Sequence, residues 1–277
     1  MIKSFLWKCF CKCFFMLEEF KYYVEMRSHN KKFKPTKPKK MGKKLLLVGN
    51  GPSCDDYLNN RELFKEYDIL CVNLFPSKNE KEFCEIKPKY ICLADPNFIT
   101  DGIEAVDEVF NAINKIDWIC YIISPAYFHF EKINNPKVRY IKMSSFLYEE
   151  ENNRRDDWYC KNFATPSIVN VINLALFFGI TFGYETIGLI GVESNFHEGL
   201  RVDKENKKYI IENHFYHEDY WRELEQDLWK LYLFWSKNLQ TDYALSMIAQ
   251  KVECQITNYT TNSLIDVFDK KDLSELE

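Results

Sequence analysis

The chain is predicted to form a doubly wound α/β domain with a mostly parallel, Rossmann-like sheet. Short apolar runs without alternation recur along it, the first being Lys44–Val48, as expected of parallel strands that are covered on both faces. Helical patterns lie between many of these runs, notably at Glu104–Ile113, and this alternation favours a parallel sheet. With 277 residues, 46% of them hydrophobic, the chain is long enough for one large folded domain.

Each predicted element follows from its local pattern. The predicted strands are Lys44–Val48, Ile69–Leu74, Tyr90–Ala94, Trp118–Ile123, Val138–Met143, Thr186–Ile190 and Val252–Thr257. A buried core helix is predicted from Pro166 to Phe182, with Thr165 as its cap, because its apolar residues lie on nearly every side. Residues 220–233 are predicted to be helical, with an apolar stripe that belongs to the core. That stripe comprises Trp221, Leu224, Leu228, Leu231 and Trp235.

The two ends of the chain differ in charge. Residues 1–44 contain thirteen Lys and Arg against three Glu, a net charge of +10, whereas the remainder carries −14. Residues 1–26 are predicted to form an amphipathic helix, residues 27–42 a basic linker and residues 43–277 the α/β domain. An apolar helix face followed by basic residues suits an anionic membrane surface. The alternative is a helix that packs on its own domain or on a partner subunit, as in a homo-oligomer.

Composition also restricts the location and the partners. The ten cysteines lack the paired spacing of a zinc site, so reduced thiols in a cytoplasmic protein are expected. Lysines interrupt the N-terminal apolar run, and neither a signal peptide nor a membrane span fits it. The expected location is therefore cytoplasmic, peripheral on the inner face of the cell membrane. Nucleic acid is not an expected partner, because the acidic domain would repel phosphate.

A tight polar turn follows the first predicted strand. Gly49, Asn50, Gly51 and Ser53 lie at the carboxyl edge of the sheet, where open α/β domains bind ligands. The two glycines allow close approach of a nucleotide, and Asn50 offers both a donor and an acceptor. The turn matches neither the dinucleotide fingerprint nor a Walker P-loop. By itself it therefore fits an ordinary strand-to-helix turn as well as a nucleotide site.

Further polar residues are expected at the same edge of the sheet. Each is by itself more typical of a turn than of a ligand contact, but together they predict a pocket. They are Asn73, Asp95, Thr165, Ser167, Gly191 and Glu193, followed by Asn262 and Ser263 in the turn after the last strand.

In their order and spacing, these motifs resemble the bacterial sialyltransferases that build lipooligosaccharide. The resemblance covers about residues 43–265 and includes the Gly49–Ser53 turn, Asn73, the Thr165-Pro166-Ser167 run and the strand leading to Glu193. The chain is also similar to surface-glycan proteins that include pterin pyrophosphokinase-like domains. The resemblance implies a single nucleotide-binding α/β domain with a lid, here at about residues 194–220, a CMP-sugar donor and no metal.

The resemblance also implies roles for individual residues. Asn50, Asn73 and Asp95 would contact the nucleotide and donor, Thr165 and Ser167 the cytidine or ribose, and Asn262 and Ser263 would lie near the donor. The sialyltransferases have Asn at the place of Asp95, Asp at the place of Glu193, and an arginine where this chain has Phe163. These departures concern the identity of the sugar more than the nucleotide site.

Catalysis is expected in the stretch from Tyr209 to His217. Sugar transfer needs a base for the acceptor hydroxyl, which a neutral imidazole can be, and tyrosine hydroxyls can bind the departing phosphate. The resembling enzymes have a His-Tyr-x-x-His run here with the later His as base, whereas this chain has a run that is one residue shorter. We favour His214 as the base with His217 as second choice, and Tyr209 and Tyr216 as phosphate partners. The alternative is a solvated surface turn.

The predicted activity is transfer of a sugar, with sialic acid or another nonulosonic acid as the expected class, from a CMP-donor to a glycan or glycolipid acceptor. The expected product is a bacterial surface glycan, either lipooligosaccharide or capsule, and the resemblance implies inversion at the sugar. No metal site is expected, since there is no His-Glu-x-x-His and the aspartate pairs lack a strand-end setting. The alternatives are a pyrophosphokinase-like enzyme that uses ATP and magnesium, and a non-catalytic scaffold for glycan assembly.

Overall fold

A computed structural model of the chain describes residues 20–148, 156–214 and 217–276, without the side chains of residues 156 and 212–220. Its strands are β1 (Lys44–Val48), β2 (Asp68–Val72), β3 (Tyr90–Cys92), β4 (Cys120–Pro125), β5 (Val138–Met143), β6 (Thr186–Ile190), β7 (Leu200–Val202), β8 (Lys208–His214), β9 (His217–Leu224), β10 (Gln255–Asn258) and β11 (Asp269–Lys270). Its helices are α1 (described over residues 20–33), α2 (Cys54–Asn59), α3 (Phe75–Lys78), α4 (Glu80–Ile86), α5 (Glu104–Asn114), α6 (Asp156–Cys160), α7 (Val171–Thr181) and α8 (Leu228–Lys251).

Eight strands form one sheet in the order β11-β10-β6-β1-β2-β3-β4-β5. All neighbouring strands of this sheet run parallel. The chain moves outward from β1 to β5 and then returns to β6 on the other side of β1. This reversal places a crevice at the carboxyl ends of β1 and β6, where doubly wound folds bind ligands. The predicted Rossmann-like α/β fold is confirmed.

The first strand shows why its sequence has no polar alternation. Leu45 and Leu47 pack into one core layer, which includes residues of α7 and α8. Leu46 and Val48 pack into the second layer, which includes residues of α2 and α5. All four side chains are fully buried, because helices cover both faces of the sheet.

The long apolar helix begins later than predicted. Its cap is Asn170, whose side chain accepts a hydrogen bond from the Asn173 N–H at 2.9 Å. The Asn173 side chain accepts in return from the Asn170 N–H at 3.2 Å. This reciprocal capping box satisfies two N–H groups that would otherwise lack partners. The predicted cap at Thr165 is therefore wrong, and Pro166 lies outside the helix.

The segment after β6 corrects two further predictions. The predicted lid at residues 194–220 is not a loop: β7, β8 and β9 form an antiparallel sheet. The helix predicted over residues 220–233 is also wrong, since Trp221 and Leu224 belong to β9 and the helix begins at Leu228. The stripe is not one core face either: Leu224 is buried, whereas Trp221 is 58% exposed and Leu228, Leu231 and Trp235 are half-buried. The strand predicted from Val252 begins at Gln255, since α8 continues to Lys251.

The described part of α1 packs on the α/β domain. Met26 is buried, the His29 Nε2 lies 2.8 Å from the Ser145 Oγ, and the Asn30 side chain donates to the Phe163 carbonyl at 2.7 Å. The helix continues to residue 33, beyond the predicted boundary at residue 26. The basic segment that follows is fixed at Thr36, whose N–H donates to the Lys142 carbonyl at 2.8 Å. Residues 1–19 lie outside the described part of the chain.

Two further findings concern the helices and the cysteines of the described residues. Among the described residues, no helix combines the length and the apolar composition needed to cross a membrane. The cysteines of the described part are free thiols, and most of them are buried in the two core layers.

Candidate functional site

A cavity of about 1130 Å³ lies at the carboxyl edge of the parallel sheet. Its walls come from the turns after β1, β2 and β6, from the start of α7, from the antiparallel sheet and from α8. These elements are distant in sequence, and the reversal of strand order between β1 and β6 brings the first three together. The cavity therefore occupies the crevice at which doubly wound folds bind their ligands.

The two glycines of the β1 turn allow the turns after β1 and β6 to pack closely. The Gly49 N–H donates to the Ile190 carbonyl at 2.8 Å, and the Gly51 N–H donates to the Gly191 carbonyl at 2.9 Å. A Cβ atom at Gly49 would lie 2.2 Å from the Gly191 oxygen, and one at Gly51 would lie 1.5 Å from a carboxylate oxygen of Glu193. Packing within the protein thus accounts for both glycines.

Ser53 and Glu193 hold the same two turns together. The Glu193 carboxylate is 8% exposed and accepts a hydrogen bond from the Ser53 N–H at 2.7 Å. The Ser53 hydroxyl accepts from the Gly191 N–H at 3.1 Å. Gly51, Gly191 and Glu193 line the cavity, whereas Gly49 and Ser53 lie behind its wall.

Asn50 and Asn73 meet at the tips of neighbouring strands, as the sequence predicts, and both line the cavity. The Asn50 Nδ2 donates to the Val72 carbonyl at 3.3 Å, and its Oδ1 is buried without a partner. Asn73 ends β2 with a φ of 44°, a left-handed conformation that asparagine tolerates. Its Oδ1 accepts from the Ala94 N–H at 3.4 Å.

Asp95, Thr165 and Ser167 do not line the cavity. Asp95 is exposed and caps the short 3-10 turn after β3, accepting from the Asn97 N–H at 2.9 Å. Thr165 is buried, and its hydroxyl donates to the Pro166 carbonyl at 3.0 Å. The Ser167 carbonyl accepts from the Thr241 hydroxyl. The structure therefore does not bring these three predicted contacts to the site, because α7 begins beyond them.

The turn after β10 also stays outside the cavity. Ser263 is 1% exposed, and its hydroxyl accepts from the Ile265 N–H at 3.2 Å, whereas Asn262 is exposed. Neither lines the cavity, although Ile265 does. The polar side chains of this turn satisfy the turn itself, as is common for serine and asparagine.

The predicted catalytic stretch lies in the antiparallel sheet. The Tyr209 hydroxyl donates to the Asp203 carboxylate at 3.3 Å and does not line the cavity. Partial desolvation, followed by the carboxylates of Asp203 and Glu223, raises the pKa of Tyr209. The acidic surroundings make this tyrosine a poor partner for a phosphate. His214 and His217 face each other as paired residues of β8 and β9. The side chains of both, and the whole of Tyr216, lie outside the described part.

Asp242 is a buried carboxylate on α8 that the sequence patterns did not predict; it lines the cavity and is 1% exposed. Its Oδ1 accepts a hydrogen bond from the Asn173 Nδ2 at 2.8 Å, and its Oδ2 has no partner. Burial raises the pKa of Asp242 to about 7, Asn173 opposes this shift and Asp266 adds to it. One feature of the sequence could have indicated Asp242. It is a carboxylate at helical spacing from Trp235 and Leu245, which places it on the same helix face as these apolar residues.

An aromatic pair was also missed. His197 and Trp235 both line the cavity, with ring centroids 3.7 Å apart and an interplanar angle of 21°. The His197 Nδ1 and the Trp235 Nε1 are buried without partners. Ser194 lies close by in sequence, with a left-handed φ of 55° and a buried hydroxyl that also lacks a partner.

Unpartnered polar atoms concentrate in this cavity. Eight buried side-chain atoms in the described residues lack a hydrogen-bond partner, and five of them belong to residues that line it. These five are the Asn50 Oδ1, Ser194 Oγ, His197 Nδ1, Trp235 Nε1 and Asp242 Oδ2. Because buried polar groups in folded proteins are normally paired, this arrangement favours a polar ligand that supplies the missing partners.

The donor set of the walls suits an organic ligand. Among the described residues, no group of three or more His, Cys, Asp or Glu side chains is arranged to hold a metal ion. The cavity instead offers amide, hydroxyl, imidazole, indole and carboxylate groups together with Arg201 and Arg222.

The chain was also compared with known proteins. No family model, curated protein or solved structure matches it.

Proposed function

We propose that this chain is a glycosyltransferase that moves a sugar, with sialic acid or another nonulosonic acid as the expected class, from a CMP-activated donor to a bacterial surface glycan. The observation that carries the proposal is the set of five unpartnered polar atoms around one cavity at the switch point of a parallel sheet. The switch point is the edge at which doubly wound folds bind their ligands, and unpartnered polar groups there favour a polar ligand such as a nucleotide.

The size of the cavity supports an enzyme with two substrates. Ligand pockets typically enclose about 300–1,000 Å³, and the volume here is about 1130 Å³. A donor and the terminal sugar of an acceptor can occupy such a volume together, as direct transfer requires.

Sugar transfer needs positive charge near the departing phosphate and a base for the acceptor hydroxyl. Arg201 and Arg222 line the cavity and would offset negative charge on the departing phosphate. His214 is the proposed base for the acceptor hydroxyl and His217 the second choice. Tyr216 remains a proposed phosphate partner, whereas the contacts of Tyr209 do not favour that role for it.

We further propose that residues 1–44 bind the inner face of the cell membrane. The proposal is supported by the described part of α1, where Phe20, Tyr22, Tyr23 and Val24 are all exposed, and by the basic residues that follow. The full chain is expected to sediment with vesicles that contain anionic lipid, and less so as salt is raised. Equal sedimentation with neutral vesicles would contradict the electrostatic part of this proposal.

Nucleotide choice tests the main proposal. CMP is expected to raise the melting temperature of the full chain, because a ligand that binds only the folded state stabilises it. Asn50→Ala should abolish this rise, whereas Asn134→Ala, which alters an exposed asparagine away from the cavity, should retain it. Stabilisation by ATP with Mg²⁺ but not by CMP would favour the pyrophosphokinase-like alternative, and no stabilisation by any nucleotide would favour a scaffold.

Donor hydrolysis tests the proposed base. A panel of CMP-sugars is incubated with the unaltered chain, His214→Ala and His217→Ala, and release of CMP is measured. We expect His214→Ala to be the slower of the two variants, by about 100-fold or more relative to the unaltered chain. Full activity in both variants would remove the histidines as candidates for the base.

A further inference from the structure

We propose that the α8 wall of the cavity, formed by residues 231–242, is a subsite for a neutral, hydroxyl-bearing sugar of the acceptor, anchored by Asp242 and bounded by Trp235. This inference rests on the proposed function, since it names the second substrate of the same cavity. The proposed subsite depends on contacts between α7 and α8.

The Asp242 carboxylate is held at one oxygen and unpaired at the other. The Asn173 Nδ2 holds its Oδ1 at 2.8 Å, and Asn173 is itself fixed by the capping box with Asn170. Asp242 belongs to the cavity wall, and its Oδ2 is buried without a partner. One oxygen is therefore fixed in place, and the other can accept a hydrogen bond from a ligand.

The unpaired carboxylate oxygen restricts the chemical class of that ligand. A carboxylate oxygen accepts hydrogen bonds and repels other anions, so it does not suit a phosphate or the carboxylate of a nonulosonic acid. Both anionic groups belong to the expected donor. A neutral sugar instead offers hydroxyl donors, and a hydrogen bond to a charged acceptor is stronger than one between neutral groups. The wall at Asp242 is thus suited to the acceptor.

An aromatic ring bounds the same wall. Trp235 precedes Asp242 by seven residues on α8, which places both on the same helix face roughly 10 Å apart. Its indole N–H is buried without a partner, and His197 stacks on its ring. Both Trp235 and His197 line the cavity. An apolar ring beside unpartnered polar groups matches a sugar, which combines C–H faces with hydroxyl edges.

The burial of Asp242 gives the subsite a pH dependence. Burial, with a smaller contribution from Asp266, raises the pKa of Asp242 to about 7, and α7 presents only the neutral Asn170 and Asn173. The other walls of the cavity contribute further titratable or charged groups, among them Glu193, His197, Arg201 and Arg222. Sugar binding should strengthen as the pH rises from about 6 to about 8, where Asp242 becomes ionised.

The test measures sugar binding by ligand-observed NMR on the full chain saturated with CMP. The probes are methyl β-galactoside and methyl β-glucoside. We expect at least one probe to bind, and Asp242→Asn to raise its Kd by about 10-fold to 100-fold. The matched control is Asp269→Asn, which removes an exposed carboxylate outside the cavity wall and should change the Kd by less than about twofold.

Second readouts separate binding from folding. Trp235→Ala should also weaken the probe, and the pH dependence of binding should disappear in Asp242→Asn while the CMP-induced rise in melting temperature persists. Failure of CMP to stabilise the unaltered chain would reject the proposed function and, with it, the role of the bound sugar as an acceptor. Probe binding to the chain without CMP would then still test whether Asp242 anchors a sugar. Absence of binding by both sugars, or equal binding by Asp242→Asn and the unaltered chain, would overturn the inference.

Discussion

Two walls of the same cavity use their polar groups in opposite ways. In the strand-tip wall, formed by the turns at residues 49–53 and 191–193 with Gly49 and Ser53 behind its surface, both polar side chains accept from backbone groups. The Glu193 carboxylate accepts from the Ser53 N–H, and the Ser53 hydroxyl accepts from the Gly191 N–H. In the α8 wall, formed by residues 231–242, the Trp235 Nε1 and Asp242 Oδ2 have no partner. The strand-tip wall is largely satisfied without a ligand, whereas the α8 wall is not.

The difference teaches that a conspicuous turn motif can serve the architecture of a site more than its ligand. Two turns that leave neighbouring parallel strands must satisfy their own backbone groups at close range. Gly49, Gly51, Ser53 and Glu193 do so here. Most of the unpartnered polar atoms of the cavity belong to residues 194–242, which follow β6 in the chain. Within the turn motif only Asn50 carries such an atom among the described residues.

The largest expected effect is on the strand-tip wall. Gly49→Ala should lower the free energy of unfolding by about 3 kcal/mol or more, because its Cβ would lie 2.2 Å from the backbone oxygen of Gly191. Urea unfolding of the full chain measures the change. The control is Gly102→Ala, at a φ of +80° with no atom within 4 Å of the added Cβ, which should lose about 1 kcal/mol. Equal losses in the two variants would show that close packing of the turns is unimportant.

A smaller effect, opposite in sign, is expected on the α8 wall. Asp242→Asn should raise the free energy of unfolding by about 2 kcal/mol at pH 8, since it removes a carboxylate that burial disfavours in its charged form. The folded pKa of about 7 lies above the usual 3.8, so the folded chain binds this proton more tightly than the unfolded chain. The unaltered protein therefore loses stability as the pH rises from about 4 to about 7.

Urea unfolding at several pH values checks this prediction. The stabilisation by Asp242→Asn should shrink towards pH 4, where the unaltered carboxyl is largely neutral in the folded chain and the cost of burying its charge is absent. Asp266→Asn, at an exposed position, should show a much smaller change. A destabilising effect of Asp242→Asn at pH 8 would mean that the carboxylate holds the fold together, and the contrast between the two walls would fail.

Local patterns predicted most of the parallel sheet. Lys44–Val48, Val138–Met143 and Thr186–Ile190 were predicted with the bounds that the structure has. For Lys44–Val48 and Thr186–Ile190 the reason is that central parallel strands are covered on both faces and have an uninterrupted apolar pattern. The meeting of Asn50 and Asn73 also followed, since neighbouring parallel strands end at one edge. Asp95, Thr165 and Ser167 were placed at that edge by the same argument, but local turn and backbone contacts hold them elsewhere.

By itself the sequence determined the sheet, its two covered faces and the edge at which a ligand can bind, because these depend on patterns within a few residues. Only the tertiary structure decided the rest of the site. The charged and aromatic pattern of His217–Leu224 is compatible with helical spacing, and pairing with β8 makes it a strand. Asp242 likewise lines the cavity and accepts a hydrogen bond from Asn173, 69 residues earlier in the chain. No local sequence pattern can indicate a contact between residues so far apart.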